Sequence, residues 1–482
     1  MRDTTTLGIG REALYSLISN LTMGVVGFAG TFIFAKVLGA SGLGVYQTAL
    51  AAAFIFTELS SGIAVAVRKR VSEVDTDPSK YLGGALLLHV LFSLVVLLAF
   101  IAARGPAIRY FGSRDIVIGV ILIVTSLGFF QVANRVYAGI GYPSRSSWMD
   151  TVRSVFTLVA QVVLLWIGLE AFGLIVGLAI ATVVTAVLAV LIAGVRPELP
   201  TRQTLDRIYE FARWSVPNGL LNNLYSSSDI LIITAFAGSA ATGLYTVAKQ
   251  LVQPAAYLSG SISNALYVKS SGRHSAGQGI TQDLTNSVAY AGLLAIPMFF
   301  GALAMPNAIP RTVFGGEFAA AGGALIGMGV FQLSNVYASQ FESIFGSIDR
   351  PDLVFRVNVA VTVVHLPLAV GLGYEYGLLG VVAATVVAEL IRFVVYQYLA
   401  YSRFSRVILP RPVMEQLLSG AVMFGLVESV LQFTRIRGWF ILLPIVAGGA
   451  VVYFATLFLI SSHFRTAISN VVPINYGPLE TP

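Results

Sequence analysis

Apolar runs long enough to cross a bilayer recur along almost the whole chain, and they limit its fold more than any other feature. About 20 residues of helix span the roughly 30 Å hydrocarbon layer. The runs are continuously apolar rather than alternating, which predicts helices and not a β-barrel. Composition agrees, since 56% of the 482 residues are hydrophobic and 11% are charged, against about a quarter charged in soluble domains. The sequence therefore predicts an all-α polytopic membrane protein.

The apolar runs predict fourteen transmembrane helices. They cover residues 12–37, 42–67, 81–103, 114–140, 147–169, 171–193, 210–237, 241–268, 283–308, 318–345, 351–374, 377–401, 413–433 and 438–461. The longest polar interval, 194–213, is too short for a folded soluble domain. We therefore expect the function to reside among the helices.

The basic residues are distributed unequally between the two faces of this arrangement. One set of connections carries Arg68, Lys69, Arg70, Lys80, Arg145, Arg196, Arg202, Arg207, Lys269, Arg273, Arg350, Arg403, Arg406 and Arg411. The opposite face holds mainly Arg104, Arg109, Arg114, Arg311, Arg435 and Arg437. By the positive-inside rule both termini are expected in the cytoplasm, with the chain in the cell membrane. The net charge of +7 therefore requires no nucleic-acid partner.

An internal repeat relates the two halves of the chain. Gly39–Tyr46 and Gly238–Tyr245 both fit G-x4-G-x-Y, and I-A-T-V-V at 180–184 matches A-A-T-V-V at 383–387. G-I-G-Y-P ending at Pro143 resembles S-I-D-R-P ending at Pro351. These matches are offset by 199, 203 and 208 residues, which places them at corresponding points of two six-helix halves.

The repeat predicts two pseudo-symmetric six-helix bundles followed by a helix pair. The expected divisions are an N-terminal lobe at 1–200, a C-terminal lobe at 201–405, and a two-helix hairpin with its tail at 406–482. Each half begins and ends on the same side, so the halves are expected to be parallel repeats with a central cleft between two lobes.

The chain resembles the multidrug/oligosaccharidyl-lipid/polysaccharide (MOP) flippase superfamily, and within it the Wzx-type polysaccharide exporters. The resemblance rests on F-A-K-V-L-G-A-S-G-L-G-V-Y (Phe34–Tyr46), A-V-R-K-R-V-S-E (Ala66–Glu73) and the 6+6+2 helix arrangement. It implies a V-shaped cavity that alternates between inward-facing and outward-facing states. It further implies a non-enzymatic flippase for a polyprenyl or dolichyl phosphate or pyrophosphate sugar. Its partners would be this cargo, membrane lipids and, functionally, glycosyltransferases of polysaccharide or glycoprotein synthesis.

Four ionisable residues are predicted to lie deep in the membrane, where charges are costly and each is a functional candidate. They are Glu58, Asp229, Lys249 and His365. Lys249 is expected to contact the cargo phosphate as a compact cation; a structural ion pair with Glu58 or Asp229 is the alternative. His365 is interpreted as a hydrogen-bonded packing residue rather than a proton switch.

A polar stripe along the seventh span provides the remaining candidates for substrate binding. Asn218, Asn222, Ser226 and Asp229 are spaced by 4, 4 and 3 residues, which places them on one helical face. Such a face suits a hydrated path for a sugar. Interhelical hydrogen bonding is an equally good explanation.

The coupling ion is left open by the sequence. Some relatives in the superfamily bind sodium among helices 7, 11 and 12, and the matching oxygen groups here are Asp229, Asn358, Thr362 and Thr385. A proton carried by Asp229 or Glu58 is the alternative. The absence of cysteine excludes thiolate metal sites and cysteine nucleophiles.

Two other functions compete with the flippase. Membrane glycosyltransferases use D-x-D motifs, which Asp75-Thr76-Asp77 matches, although in a short loop that is better explained as solvated. A drug/cation antiporter of the same superfamily is the second alternative. The additional helix pair and the many arginines favour an anionic lipid cargo over a drug.

Overall fold

The computed structural model describes residues 9–73 and 76–471. These residues form the helices α1 (Ile9–Val71), α2 (Pro78–Ala102), α3 (Arg104–Phe111), α4 (Arg114–Gly139), α5 (Pro143–Trp166), α6 (Glu170–Ala193), α7 (Arg202–Ser275), α8 (Thr281–Ala304), α9 (Ala308–Phe314), α10 (Gly322–Ser347), α11 (Pro351–Phe404), α12 (Arg411–Phe433), α13 (Trp439–Ile460) and α14 (Ser462–Val471). A 3-10 turn, Gly316–Ala321, lies between α9 and α10. The all-helical prediction is confirmed.

Three of the long helices contain a break at a single glycine. Within the described residues, eleven helices are long and apolar enough to cross a membrane. Among them, α1, α7 and α11 are interrupted at Gly39, Gly238 and Gly377, with φ of 67°, 81° and 58°. Left-handed backbone of this kind favours glycine, which has no Cβ. Because each broken helix provides two spans, the fourteen predicted spans are present, and the breaks fall where the predicted spans meet.

Two short helices add a further correspondence between the halves. Helix α3 follows the third span and α9 follows the ninth. Each contains an Ala-Ile pair and ends in a phenylalanine followed by a glycine of positive φ, Gly112 at 82° and Gly315 at 133°. The repeat therefore extends to the connections as well as the spans.

The helices are grouped into two compact units. The first comprises the described residues up to Val247 together with Thr362–Ala384, and the second comprises Ala248–Val361 with the described residues from Thr385 onward. Helices α7 and α11 contribute to both units. The three-part division expected from the repeat stays a prediction.

In the first unit, α1, α4, α5 and α6 pack against one another, and α2 packs against α4. Its core includes Val67, Leu82, Phe130 and Ile208, which are almost fully buried. Burial of such apolar side chains stabilises the unit, and the same packing sets the positions of the polar residues on α1 and α7.

In the second unit, α8 packs against α10 and α12, and α12 packs against α13. Phe341 and Phe345 of α10 both stack on Tyr396 of α11, with ring centroids 6.4 and 6.1 Å apart. The predicted helix pair after the twelfth span is thus present as α12 and α13.

Candidate functional site

The G-x4-G-x-Y motif forms a contact between the two halves inside the first unit. Its first glycine, Gly39 or Gly238, is the helix break. Its second glycine lies against the backbone of the other copy: a Cβ on Gly44 would collide with the carbonyl oxygen of Ser239, and a Cβ on Gly243 with that of Ala40. The motif therefore permits close approach of the two helix bends.

The tyrosine of each motif is buried and hydrogen-bonded. The hydroxyl of Tyr46 accepts from Nε2 of Gln161 at 2.9 Å. The hydroxyl of Tyr245 donates to Oδ2 of Asp229 at 2.8 Å. The repeated motif thus positions one phenolic hydroxyl in each half, with a neutral partner in the first and a carboxylate in the second.

Asp229 lies at the centre of a buried cluster formed by α7 and α11. Its Oδ1 atom is 3.0 Å from Nε2 of His365, and the two side chains are 4% and 0% exposed. The ring of Tyr225 packs edge-to-face on that of His365, with centroids 5.2 Å apart. Together with Tyr245, these residues bring a carboxylate, an imidazole and a phenol together in the protein interior, where unsatisfied charge is costly. We call this group the Asp229 cluster.

Glu58 lies in a second polar contact of the first unit, between α1 and α7. Oε2 of Glu58 accepts a hydrogen bond from the side-chain amide of Asn223. Gly219 of α7 faces the same carboxylate and leaves no room for a Cβ there. One turn later on α1 and one turn before Gly219 on α7, the hydroxyl of Ser215 donates to the carbonyl oxygen of Gly62 at 2.8 Å. Glu58 is therefore held against α7 within a closely packed helix pair.

The structure separates the members of the polar stripe by environment. Asn218 and Ser226 are exposed, whereas Asp229 is buried. Ser226 also donates to the carbonyl oxygen of Asn223 at 3.3 Å. The side chain of Asn222 lies outside the described residues. The four positions share a helical face, but α11 and the second part of α7 cover this face at the level of Asp229.

The remaining predicted site residues lie on α7 and α11. Lys249 is half-buried, one helical turn beyond Tyr245. Thr362 and Thr385 are buried, and Asn358 is half-buried with its amide 3.5 Å from Oε1 of Glu342. Among the described residues there is no group of three or more histidine, aspartate or glutamate side chains that could hold a metal ion. The sodium ligands and the role of Lys249 stay predictions.

A group of ionic contacts joins α10 and α11. Arg392 lies 3.5 Å from Glu389 and 3.2 Å from Glu342 of α10. Asn335 also donates to Glu389 at 3.3 Å. These contacts join α10 to α11 within the second unit, which agrees with a structural role.

In the D-x-D segment, the second aspartate, Asp77, has a structural role at the start of α2. The side chain of Asp77 accepts from the backbone N–H of Ser79 at 3.0 Å and caps α2. It also lies 3.3 Å from Lys80. Asp75 lies outside the described residues. Asp77 therefore has the role of an N-cap, for which aspartate is favoured.

Sequence reasoning missed Asn223, Tyr245 and the partnership of His365 with Asp229. Asn223 was missed because helical spacing alone does not reveal which neighbour α7 packs against. The internal repeat, in contrast, pointed to both Tyr245 and His365. Tyr245 is the last residue of the motif, and His365 lies 204 residues after Gln161, within the range of offsets between the halves.

Comparisons in sequence identify relatives of the chain. Residues 144–321 match a family described as polysaccharide biosynthesis protein. The chain is 25% identical over 403 residues to the probable low-salt glycan biosynthesis flippase Agl15 of Haloferax volcanii, an alignment covering 81% of this chain and 83% of the relative. It is 23% identical over 485 residues to the probable flippase AglR of the same organism, covering 97% and 99%.

Comparisons in structure identify the fold. The lipid II flippase MurJ in an inward closed conformation is similar with a TM-score of 0.79 and 15% identity, covering 95% of this chain and 100% of that one. An inward-facing multidrug resistance MATE family transporter of the MOP superfamily is similar with a TM-score of 0.64 and 15% identity, covering 81% and 98%. The fold is thus one found in flippases and in drug transporters.

The chain is a multi-pass membrane protein; the expected resemblance is confirmed in sequence by the polysaccharide-biosynthesis family and the two flippase relatives, and in fold by MurJ and the MATE transporter of the MOP superfamily.

Proposed function

We propose that this chain is a flippase that moves a lipid-linked sugar across the cytoplasmic membrane by alternating access. The carrier lipid would be a polyprenyl or dolichyl phosphate or pyrophosphate. The observation that carries this proposal is sequence similarity along 97% of the chain to a relative described as a flippase, and along 81% to one described as a glycan biosynthesis flippase.

The physical requirement for such a protein is a polar path for the headgroup. A sugar cannot lose its hydration in hydrocarbon without compensation, because each unpaired polar group costs several kcal/mol there. The lipid tail can stay in the bilayer. Glu58 with Asn223, and Asn218, Asn222 and Ser226 along α7, are the groups that we assign to this path. The exposure of Asn218 and Ser226 supports the assignment.

The cargo phosphate requires a cation. We assign this role to Lys249, which is half-buried on the second part of α7. An ammonium group on a flexible stem suits a phosphate that must be bound and then released. An ion pair with a carboxylate in one state of the cycle is compatible with this role.

Transport against a gradient requires an energy source, which we propose to be a cation gradient. Sodium at Asp229, Asn358, Thr362 and Thr385 is one possibility. A proton at Asp229 or Glu58 is the other.

The other expectations from the sequence are also part of this proposal. We infer that both termini lie in the cytoplasm, because the basic connections are on that side. We infer that the protein has no catalytic activity of its own and receives its cargo from membrane glycosyltransferases that build surface polysaccharide or protein-linked glycan.

Reconstitution tests the proposal directly. Purified protein would be inserted in vesicles that contain a radiolabelled dolichyl phosphate hexose, and the fraction of sugar accessible to impermeant periodate would be followed with time. We expect the protected fraction to become accessible faster than in vesicles without protein. Equal rates in both would contradict the proposal.

A drug/cation antiporter is the second candidate, favoured by the structural similarity to a MATE transporter. A strain lacking the gene distinguishes the two functions. Accumulated lipid-linked sugar on the cytoplasmic leaflet is expected for the flippase, whereas increased drug sensitivity with normal glycan would indicate the antiporter.

A further inference from the structure

We propose that one face of the second part of α7 is the site that recognises the sugar of the cargo. This sugar face is formed by Lys249, Gln253, Tyr257, Ser261 and Asn264, spaced by 4, 4, 4 and 3 residues. Tyr257 stacks on a sugar ring, and the amides of Gln253 and Asn264 bind sugar hydroxyl groups. The inference rests on the proposed function and adds to it the residues that distinguish a sugar phosphate from other lipid phosphates.

Spacing and exposure define the sugar face. Steps of three and four residues keep side chains on one side of a helix. Tyr257 is 38% exposed and Asn264 is also exposed, whereas Lys249, Gln253 and Ser261 are half-buried. The five side chains therefore form a continuous polar surface along the helix.

A different side of the same helix packs against α10. Ser259 donates to the carbonyl oxygen of Val336 at 3.1 Å, and Ser343 donates to that of Ser263 at 2.5 Å. From the helical repeat, Ser259 and Ser263 lie about 120° around the axis from the middle of the sugar face. The sugar face thus lies outside the contact that holds the helix in the second unit.

The polar groups of the sugar face can bind a ligand. Within the part of the chain that the structure describes, the amides of Gln253 and Asn264 and the hydroxyl of Tyr257 make no hydrogen bond to protein. The hydroxyl of Ser261 donates to the carbonyl oxygen of Tyr257 at 3.0 Å and can still accept. Unpaired groups of this kind are costly in hydrocarbon. The face is therefore suited to water or a polar ligand rather than to lipid tails.

The depth of Tyr257 argues against the usual role of an exposed tyrosine in a membrane protein. Tyrosine commonly anchors helices at the two interfaces of the bilayer. By helical rise, Tyr257 lies about 4 Å from the middle of the predicted span 241–268. Lys249 lies about 8 Å from the middle on one side, and Asn264 about 14 Å on the side predicted to be cytoplasmic. The sugar face therefore lies within the hydrocarbon layer, where a headgroup needs a polar path.

The internal repeat indicates that packing does not require these polar groups. At the 199-residue offset of the G-x4-G-x-Y motif, the counterparts in the second span are Leu50, Phe54, Glu58, Gly62 and Val65. Apolar residues thus occupy the positions of Lys249, Gln253 and Asn264. The corresponding helix of the first half forms with a largely apolar face, so the amides and the lysine of the second half have another role.

The charge of this segment favours an anionic cargo. Between Ile230 and Gln282 the chain contains Lys249, Lys269 and Arg273 but no aspartate or glutamate. A cationic drug beside Lys249 would be repelled, and the face has no carboxylate to compensate. A phosphate bound by Lys249 leaves its sugar on the side of Tyr257, whose aromatic ring presents a partially negative surface to sugar C–H groups.

Sugar recognition is measured as a ratio of two affinities of the purified full-length protein. The probes are dolichyl phosphate hexose and dolichyl methyl phosphate, a diester of the same charge without the sugar. We expect the wild type to bind the hexose compound at least about tenfold more tightly. Tyr257→Leu should lower this ratio by about three- to tenfold, the size of an aromatic contact. Tyr257→Phe retains the ring and should keep the ratio within about twofold.

Further variants locate the site. Gln253→Leu and Asn264→Val, which introduce apolar side chains as in the first half, should each lower the ratio. Lys249→Ala should weaken both probes equally and keep the ratio, because the probes share the phosphate. The control is Tyr398→Leu, which removes a tyrosine that is 70% exposed on α11 and should leave both affinities unchanged.

The outcomes separate the two proposals. Equal affinity of the wild type for both probes would overturn the sugar face, while flipping in the vesicle assay would leave the flippase intact. A Tyr257→Leu variant with the wild-type ratio would also overturn it, and a lower Tm in that variant would indicate packing instead. If the wild type prefers the hexose probe but flips no lipid-linked sugar, the proposed function fails and sugar recognition stands.

Discussion

Arg70 at the end of α1 donates to Glu210 near the start of α7, with 2.7 Å between Nη2 and Oε2. Arg70 also contacts Glu73 at 3.1 Å, and Arg207 of α7 contacts the same glutamate at 2.8 Å. These four residues connect the predicted cytoplasmic ends of two helices that also meet at Glu58 and at Gly44. Helices α1 and α7 are therefore in contact at several points between Gly44 and Glu73.

The charge cluster should make stability depend on pH. Burial alone would raise the pKa of Glu73, but the hydrogen bond and charge of Arg70, with the charges of Arg207 and Lys69, outweigh it, and the pKa is lowered. Because the folded-state pKa is below the ordinary value, the stabilisation is complete above that value, about 4.3. It is lost as pH falls through the lowered pKa.

The measurement is the Tm of Glu73→Gln and wild type in detergent. We expect the variant to melt lower at about pH 7 and the difference to shrink at about pH 3.5. Glu317→Gln, which changes an exposed carboxylate on the 3-10 turn, is the control and should show no such trend. A Tm difference independent of pH would contradict the prediction.

The contact between the two motif copies should be intolerant of one added methyl group. In Gly44→Ala the new Cβ would meet the carbonyl oxygen of Ser239, and backbone atoms cannot move aside cheaply. We expect destabilisation of about 1–3 kcal/mol, as for overpacking elsewhere, seen as a lower Tm. Gly27→Ala in the same helix meets nothing within 4 Å and should be neutral or stabilising by up to about 1 kcal/mol. Equal effects of both substitutions would contradict the packing argument.

Removing the ammonium group of Lys249 should abolish flipping if it binds the cargo phosphate. We expect Lys249→Ala to lose at least about tenfold in rate, which corresponds to about 1.4 kcal/mol, at unchanged protein level and Tm. Lys36→Ala changes an exposed lysine of α1 and serves as the control. Flipping by Lys249→Ala at the wild-type rate would exclude the assignment.

Neutralising Glu58 should slow transport without unfolding the protein. Glutamine keeps the shape of the side chain and an oxygen that can accept from Asn223, so we expect Glu58→Gln to retain its Tm. The flipping rate should fall by about tenfold or more, equivalent to about 1.4 kcal/mol, because the charge is absent from the polar path. Glu375→Gln, at an exposed position of α11, is the control. A Tm that falls in parallel with the rate would instead indicate a structural role for Glu58.

Much of the fold could be predicted from the sequence, because the thickness of the bilayer fixes the length of each apolar run. The breaks at Gly39, Gly238 and Gly377 fall where predicted spans meet, because each apolar run is long enough for a single crossing of the membrane. The sequence predicted less of the candidate site than of the fold. Spacing placed Asp229 on a face with Asn218 and Ser226, but gave no information about which helix covers each level of that face.

The sequence by itself determined that this protein crosses the membrane many times, contains two related halves and has few ionisable groups at depth. These are local or periodic properties, and apolar length and repetition are sufficient to define them. Only the tertiary structure decided that Asp229 meets His365 and Tyr245, and that Glu58 meets Asn223. Such pairings join residues 16 to 165 positions apart, because packing between helices, and not order along the chain, determines which polar groups share a low-dielectric interior.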